Sequence, residues 1–324
     1  MAHSGHRHHE ETVAAALAGG EAARSAIVAS WARSVNVHGL DPRRSPRDER
    51  IDQGAFRAVH QRMEPVTLAA RPTLERLFHA VGGFGASVIL ASEEGIAVER
   101  LGKPSEDRDF AEVGLWTGTD WSEAAVGTNA IGTCLVERRP VVVNRDQHFL
   151  SLNIELTCVS APVHDADGNL AAVLDVSTVR RDLAEGFAGL ISHSVTEAAR
   201  KIEADLFLAR HPRARMVLVP GTERGLGALL AVNADELVIG ATRAARQHLG
   251  LAGDLARDPV PLADLLGLDS HLRPEDGERA VIARAIARAR GNLSAASRAL
   301  GISRATLHRK IGRPGSGTGS GGRI

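Results

Sequence analysis

The chain has 324 residues, which is enough for two or three domains that each bury a core of their own. Hydrophobic residues make up 44% of it and charged residues 24%, which excludes a fibrous protein and a chain disordered throughout. Basic and acidic side chains number 39 each, so the overall charge by itself indicates no polyanionic partner.

No run of 18 or more apolar residues occurs, and the first thirty residues contain His and Glu where a secretory signal needs an apolar centre. We therefore expect a cytoplasmic protein with no membrane partner. The two cysteines, Cys134 and Cys158, are too few for a disulfide scaffold and form no Cys-x-x-Cys pair. We expect free thiols, and we assign no cofactor, metal ligand or catalytic residue.

The first 80 residues predict a polar tail followed by helices. We interpret residues 1–20 as a solvated, flexible tail, because nothing in this polar segment predicts a fold that would hold metal ligands in a fixed geometry. This tail contains the metal-capturing pattern His3, His6, His8 and His9. Residues 21–80 predict a helical preface with a Pro-rich break at Leu40–Pro46. Its apolar face carries Ile27, Val28, Trp31 and Val35.

Strand periodicity begins in the segment 81–180. Strands are predicted at Ala86–Ala91, Gly95–Leu101, Pro140–Asn144, Thr157–His164 and Leu170–Thr178, with a helix at Ala124–Val136. Antiparallel strands with interleaved helices predict an α+β sensor fold. The turn Asp165–Asn169 imitates the start of a calcium loop, but Val176 stands where the bidentate Glu is required, which favours a hairpin turn.

A long helix and a smaller mixed segment follow. Asp182–Ala209 has apolar residues at helical spacing, and we interpret 181–210 as a connecting and dimerisation helix whose apolar face needs a partner. Residues 211–270 predict a reduced, PAS-like second sensor segment. Its strand–turn–strand–helix pattern runs from Leu229 to Leu249, with the turn at Asn233–Asp235.

The C-terminal segment 275–313 carries a local excess of positive charge. It has nine basic against three acidic residues, whereas Arg76–Arg180 has eight basic against fifteen acidic. Such a contrast is typical of a polyanion-binding module, although charge alone is weak support. The residues 314–324, rich in Gly and Ser, predict a flexible tail.

Three helices are predicted in this segment. Gly291 and Asn292 end the first and cap the second, Gly301 supplies a tight turn, and Ser303 is a natural N-cap for a third helix through Ile311. Leu307 and Ile311 are expected to face the core. The candidate DNA-binding residues are then Ser303, Arg304, Ala305, Thr306, His308, Arg309 and Lys310. A three-helix bundle with a merely solvated basic face would explain the charge but not the turn residues.

The stretch Gly291–Lys310 resembles the helix-turn-helix of the Fis family. This resemblance implies that the helix Ser303–Lys310 enters the major groove of double-stranded operator DNA. It also implies that the module works as a homodimer on two half-sites.

A second resemblance covers roughly Ser30–Ala209. The segments Trp121–Cys134, Gln147–Phe149 and Cys158–Val163, with Ser30–Ser34 and Gly39–Pro42, resemble the GAF sensor of acetoin-operon activators. Such proteins usually sense a small metabolite and then drive an ATPase. This sequence contains no Gly-x4-Gly-Lys-Ser/Thr motif, so we expect a regulator that occludes its operator or recruits RNA polymerase directly.

The sensor resemblance predicts a small, mostly apolar effector pocket between sheet and helix. Its candidate lining is Trp116, Trp121, Asn129, Ile131, Thr133, Cys134 and Cys158, each of which also suits a plain core. Three alternatives stay open. They are a cysteine-dependent enzyme of the free methionine sulfoxide reductase type, a redox or metal sensor using Cys134, His148 and Cys158, and a scaffold that binds no DNA.

Overall fold

The computed structural model describes residues 2–19, 25–44, 50–180, 185–220, 227–267 and 278–311. The chain divides into two compact units, Met1–Ala209 and Arg210–Ile324. The predicted tail at 314–324 lies outside the described residues. Within the described part of the chain, no helix is both long and apolar enough to span a membrane.

Three helices precede the sheet: α1 (Ala2–Ala18), α2 (Ala26–Asn36) and α3 (Gln53–Val81). The prediction of a flexible tail over residues 1–20 is wrong for α1, because Val13 of α1 is 2% exposed and shares a core with Trp31 of α2. Side-chain caps set the starts of the next two helices. Ser25 accepts a hydrogen bond from the Val28 amide, and Asp52 accepts two from the first turn of α3.

An antiparallel five-stranded sheet follows, in the order β2-β1-β5-β4-β3. The strands are β1 (Ala86–Ser92), β2 (Ala97–Leu101), β3 (Val141–Asn144), β4 (Thr157–His164) and β5 (Leu170–Thr178). The predicted bounds of β4 and β5 are confirmed, and so is the hairpin turn between them. In that turn the Asp165 carboxylate accepts hydrogen bonds from the backbone amides of Asp167 and Asn169.

Three short helices lie between β2 and β3: α4 (Asp107–Glu112), α5 (Glu123–Val126) and α6 (Ala130–Glu137). The prediction of one continuous helix over Ala124–Val136 is wrong. Gly127 has a φ of +69°, which breaks the helix, and the Asn129 side chain then caps α6 through the Gly132 amide.

Both faces of the sheet are buried, one under α1, α2 and α6 and the other under α3 and α7 (Glu185–Arg210). Ile89 and Ala91 of β1 point to the core shared with α1, α2 and α6, whereas Val88 and Leu90 point to the core shared with α3. The long helix α7 completes this second core. The α7 residues buried in this core are Ile191, Val195, Ala199 and Ile202.

The burial of this α7 face corrects one premise of the sequence analysis. We expected the apolar side of this helix to find its partner in a dimer, but it packs on the sheet of the first unit. The reason is that a sheet buried on both faces needs helices on both sides, and α3 alone leaves part of the sheet uncovered. The exposed side of α7 carries Leu190 and Leu208, which are 62% and 43% exposed.

The second unit begins with a four-stranded antiparallel sheet in the order β6-β7-β8-β9. Its elements are β6 (Arg215–Leu218), β7 (Leu229–Val232), β8 (Leu237–Ala241), α8 (Arg243–Leu249), β9 (Val260–Pro261) and α9 (Leu262–Leu266). The predicted strand–turn–strand–helix pattern is confirmed. Its turn is held by the Asn233 side chain, which accepts hydrogen bonds from the amides of Asp235 and Leu237. Three more helices end the described chain: α10 (Glu278–Arg288), α11 (Leu293–Ala299) and α12 (Arg304–Ile311).

Candidate nucleic-acid interface and sensor core

The caps and the turn around α11 and the start of α12 are formed by the residues predicted from the sequence, Asn292, Gly301 and Ser303. Asn292 caps α11 by accepting hydrogen bonds from the amides of Ser294 and Ala295, both at 3.1 Å. Gly301 has a φ of +64°, which a residue with a Cβ adopts only under strain. Ser303 Oγ accepts a hydrogen bond from the Thr306 amide at 3.0 Å and caps α12 as predicted.

The three C-terminal helices share a small apolar core. Its buried members are Ile282, Ala285, Ala296 and Leu307, with Ile302 packed against them. Leu307 is fully buried as predicted, but the expectation for Ile311 is wrong, since it is 47% exposed. The core is centred on Leu307, and α12 ends one turn later at Ile311.

The opposite side of α12 is open to solvent. Ser303, Arg304, Ala305, His308 and Arg309 are exposed, while Thr306 and Lys310 are half-buried. Lys310 forms an ion pair with Glu278 at the start of α10, so its ammonium also ties α12 to the rest of the bundle. The exposed set therefore presents two arginines and a histidine on one capped helix, which suits phosphate and base-edge contacts.

A two-point ion pair joins α10 to the segment before it. Arg288 donates to both carboxylate oxygens of Asp264 in α9, at 2.7 and 2.9 Å. The hydrogen bonds from this guanidinium lower the pKa of Asp264 below its ordinary value. No local pattern in the sequence indicates this pair, because its partners lie 24 residues apart in different helices.

In the first unit, the Ser30–Ser34 motif of α2 binds to the α5–α6 region through a buried polar network. Ser30 Oγ donates to Glu123 Oε1 at 2.6 Å and lies 2.7 Å from Thr128 Oγ1. Arg33 donates to both oxygens of the same carboxylate. The motif thus has a structural role here, which the sequence analysis did not assign to it.

Two of the predicted effector residues use their polar atoms in contacts within the α2, α5 and α6 region. Asn129 accepts from the Gly132 amide and donates to the carbonyls of Trp121 and Gly127, at 2.8 to 2.9 Å. Thr133 is fully buried and lies 3.3 Å from Ser30 Oγ. Both side chains therefore hold the α5–α6 break in place.

The other predicted effector residues fall into two places. Trp121, Ile131, Cys134 and Cys158 are buried together in the core on the α6 side of the sheet. Trp116 lies apart from them, half-buried, with the Arg100 guanidinium 4.4 Å from its ring centre. A groove of about 380 Å³ runs along α3, and none of its lining residues is among the predicted set.

Sequence reasoning missed a buried carboxylate on the same face of the sheet. Asp175 is 1% exposed, and it accepts hydrogen bonds from Ser160 and Ser177, both at 2.6 Å. Burial raises its pKa from 3.8 to about 6. The signal was present in the sequence, because Ser160 and Asp175 interrupt otherwise apolar strands.

Both cysteines carry free thiols and are buried. Burial and the nearby Asp175 carboxylate raise the pKa of Cys134 and of Cys158 well above the ordinary thiol value. A thiol becomes reactive as the thiolate, which this environment disfavours. The cysteine-dependent enzyme is therefore the less favoured interpretation.

Two family descriptions match the chain. Residues 3–200 match the family described as MimR, N-terminal domain, and residues 273–313 match the family described as bacterial regulatory protein, Fis family. The second match covers the three C-terminal helices, and the predicted resemblance to the Fis family is thus confirmed.

Three curated relatives have names that concern gene control. The acetoin catabolism regulatory protein of Cupriavidus necator is 35% identical over 184 residues, which cover 57% of this chain and 28% of that protein. AcoR, the acetoin dehydrogenase operon transcriptional activator of Bacillus subtilis, is 30% identical over 42% of this chain and 22% of its own length. MimR, the propane 2-monooxygenase operon transcriptional activator of Mycolicibacterium smegmatis, is 28% identical over 45% of this chain and 24% of its own length.

The chain thus spans about a quarter of the length of these relatives. Among solved structures, a chain of the Escherichia coli DhaR(N)–DhaL complex aligns with a TM-score of 0.51 and 16% identity, covering 70% of this chain and 77% of that one. At this identity the likeness shows the fold alone, and it agrees with the predicted α+β architecture. The match at residues 3–200 covers more than half of the 324 residues, and the chain therefore belongs to the family defined by the MimR N-terminal domain.

Proposed function

We propose that this chain is a regulator of transcription that binds operator DNA through α12 and responds to a small metabolite through its first unit. The observation that carries the proposal is the geometry of α12. Leu307 anchors the helix in the bundle, Ser303 caps its start, and the side chains of Arg304 and Arg309 are exposed to solvent.

The chemistry of that face supports recognition of a DNA duplex. Arginine binds guanine edges with two parallel hydrogen bonds, and a hydroxyl or a helix N-terminus binds phosphate oxygens. In the proposed complex Arg304 and Arg309 read bases in the major groove, while Ser303 and Thr306 contact the backbone. Ala305 leaves room for close approach, His308 faces outward with Arg309, and Lys310 lies at the flank of the helix.

The names of the relatives support a role in gene control. Two of them are named for acetoin catabolism and one for a propane 2-monooxygenase operon. We infer that the effector of this chain is likewise a small catabolic metabolite. The effector is proposed to bind on the α6 side of the sheet, near the core residues Trp121, Ile131, Cys134 and Cys158.

The proposal includes no ATPase step. The sequence contains no Gly-x4-Gly-Lys-Ser/Thr motif, whose backbone amides and lysine would hold the phosphates of a nucleotide. The regulator would act by occluding its operator or by contacting RNA polymerase directly.

We also propose a homodimer, because two-fold operators are read by two-fold proteins. The exposed side of α7 is the best available surface in the first unit. Leu190 and Leu208 are eighteen residues apart, which is five helical turns, so they lie on the same side. Leu190→Glu with Leu208→Glu should give monomers by sedimentation at micromolar concentration, whereas a monomeric unmodified protein would exclude the dimer.

The DNA-binding proposal is tested by selecting duplexes from a random library with the full chain, and then measuring affinity for the enriched duplex by fluorescence anisotropy. Arg304→Ala and Arg309→Ala should each weaken binding by roughly tenfold or more, since one bidentate base contact contributes about 1–3 kcal/mol. The matched control is Arg108→Ala, which removes the same charge from an exposed side chain of the first unit. If no duplex is enriched, or if both variants bind as tightly as the control, the proposal fails.

A further inference from the structure

The first unit contains a second group of buried polar atoms, where α1 packs against the turn Ser151–Asn153. His9, His148, Ser151 and Asn153 are each at most 3% exposed. One side-chain atom of each has no hydrogen-bond partner: His9 Nδ1, His148 Nε2, Ser151 Oγ and Asn153 Oδ1. A buried polar atom without a partner costs free energy, so four of them in neighbouring elements favour the binding of a polar group at this place.

Contacts with the backbone of residues 147–149 place His9 next to His148. His9 Nε2 lies 3.2 Å from the carbonyl oxygen of Phe149, the residue that follows His148. The His9 ring also meets Trp31 edge-on, with ring centres 6.3 Å apart. Trp31 in turn donates from Nε1 to the Gln147 carbonyl, which precedes His148.

The hydrogen bonds of the two imidazole rings indicate which ring nitrogen donates a hydrogen. A carbonyl oxygen only accepts, so His148 Nδ1 must donate its hydrogen to the Arg145 carbonyl, 2.9 Å away. Burial lowers the pKa of His148 to about 4, and its Nε2 is therefore a bare lone pair at neutral pH. By the same argument His9 donates from Nε2 to the Phe149 carbonyl.

We propose that His9, His148, Ser151 and Asn153 form a binding site for a small neutral ligand with two hydroxyl groups, such as a vicinal diol. The Nε2 lone pair of His148 and the amide oxygen of Asn153 each accept a hydrogen bond, and the two hydroxyl groups of a diol supply the two donors. A divalent cation fits less well, because no carboxylate stands among the four to offset its charge. Within the described residues no group of three or more His, Cys, Asp and Glu side chains is placed to hold a metal.

This inference rests on the proposed sensing role and places its ligand at these four residues instead of in the core around Trp121. Its test uses no DNA, so a failure of the diol site and a failure of the DNA-binding proposal can be told apart. The full chain is titrated with ethane-1,2-diol, propane-1,2-diol and butane-2,3-diol, and binding is followed by calorimetry and by tryptophan fluorescence. Trp31 is one of three tryptophans that contribute to the signal, and its ring meets that of His9 edge-on. The matched probe is 1,2-dimethoxyethane, which keeps the oxygen spacing but has no hydrogen to donate.

At least one diol should bind saturably, and the diether should not. Ser151→Ala should weaken binding several-fold and His9→Phe about tenfold, because each removes one hydrogen-bond partner. Ser151→Ala removes one unpartnered hydroxyl and leaves the fold intact, whereas Ser87→Ala is the control for a buried serine elsewhere in the unit. Absence of saturable binding, equal affinity in the variants, or displacement of the diol by micromolar Zn²⁺ would each overturn the proposal.

Discussion

Arg33 on α2 holds Glu123 on α5 in a two-point ion pair, with Nε to Oε2 at 2.8 Å and Nη2 to Oε1 at 2.9 Å. The glutamate is 3% exposed, so its charge depends on these partners. Burial by itself raises the pKa of Glu123, but the hydrogen bonds from Arg33 and Ser30 outweigh it and lower the pKa below its ordinary value. The ion pair therefore connects α2 to α5.

We expect Arg33→Ala to lower the free energy of unfolding of the first unit by about 3 kcal/mol, because it leaves a buried carboxylate without its cation. Urea unfolding followed by tryptophan fluorescence measures this unit alone, since all three tryptophans lie within residues 1–209. Arg108→Ala is the control, because its ion pair with Glu112 is exposed and contributes little. An equal, small effect of both changes would contradict the role given to the pair.

Asp175 and His148 should make opposite contributions to stability as the pH changes. The pKa of Asp175 is raised from 3.8 to about 6 on folding, so the folded state binds its proton more tightly and loses stability as the pH rises from about 4 to 6. The pKa of His148 is lowered from 6.5 to about 4, so the folded state gains stability over a similar range. Each effect is roughly 3 kcal/mol, and in the unmodified protein they largely offset one another.

Asp175→Asn should uncover the contribution of His148. The unfolding free energy of the variant minus that of the unmodified protein should be roughly 2 kcal/mol larger at pH 7 than at pH 4.5. His148→Gln should show the reverse trend. The measurement is the difference in unfolding free energy from the unmodified chain at each pH, and a difference that does not change with pH would show that neither group is perturbed as described.

Gly132 lies inside α6, where Gly→Ala usually stabilises a helix by about 1 kcal/mol. Here we expect the opposite sign, because a Cβ at this position would lie 2.6 Å from the Glu123 amide nitrogen and 2.7 Å from the Trp121 carbonyl. Gly189→Ala is the matched control, since it is exposed on α7 and a Cβ there meets nothing within 4 Å. Thermal unfolding should therefore shift down for Gly132→Ala and up for Gly189→Ala, and the same direction for both would refute the close contact.

The cap of α12 and its exposed arginine should separate stability from DNA binding. Ser303→Ala should lower the stability of the C-terminal helices by about 1 kcal/mol, because the Thr306 amide loses its acceptor. Arg309→Ala should leave that stability unchanged and weaken DNA binding instead. Helical circular dichroism on heating measures the first effect and anisotropy the second. Loss of stability in Arg309→Ala would mean that this side chain supports the bundle.

Local signals in the sequence were enough to predict the strands of the first unit and the C-terminal turn. β4 and β5 follow from alternation and a turn of Asp, Gly and Asn, and the start of α12 follows from Gly301 and Ser303. These features depend on backbone conformation and caps within a few residues, which short motifs encode. The Fis resemblance added the expected role of α12, since its residues match over a continuous stretch.

Contacts between distant residues were decided only by the tertiary structure. His9 looked like part of a solvated tail, yet its ring lies against a carbonyl 140 residues away. The apolar side of α7 predicted a partner, but the pattern does not say whether that partner is a second chain or the sheet of the same chain. Helical spacing gives the buried face, whereas the surface it meets depends on how the strands and helices pack, because burial is a property of the whole fold.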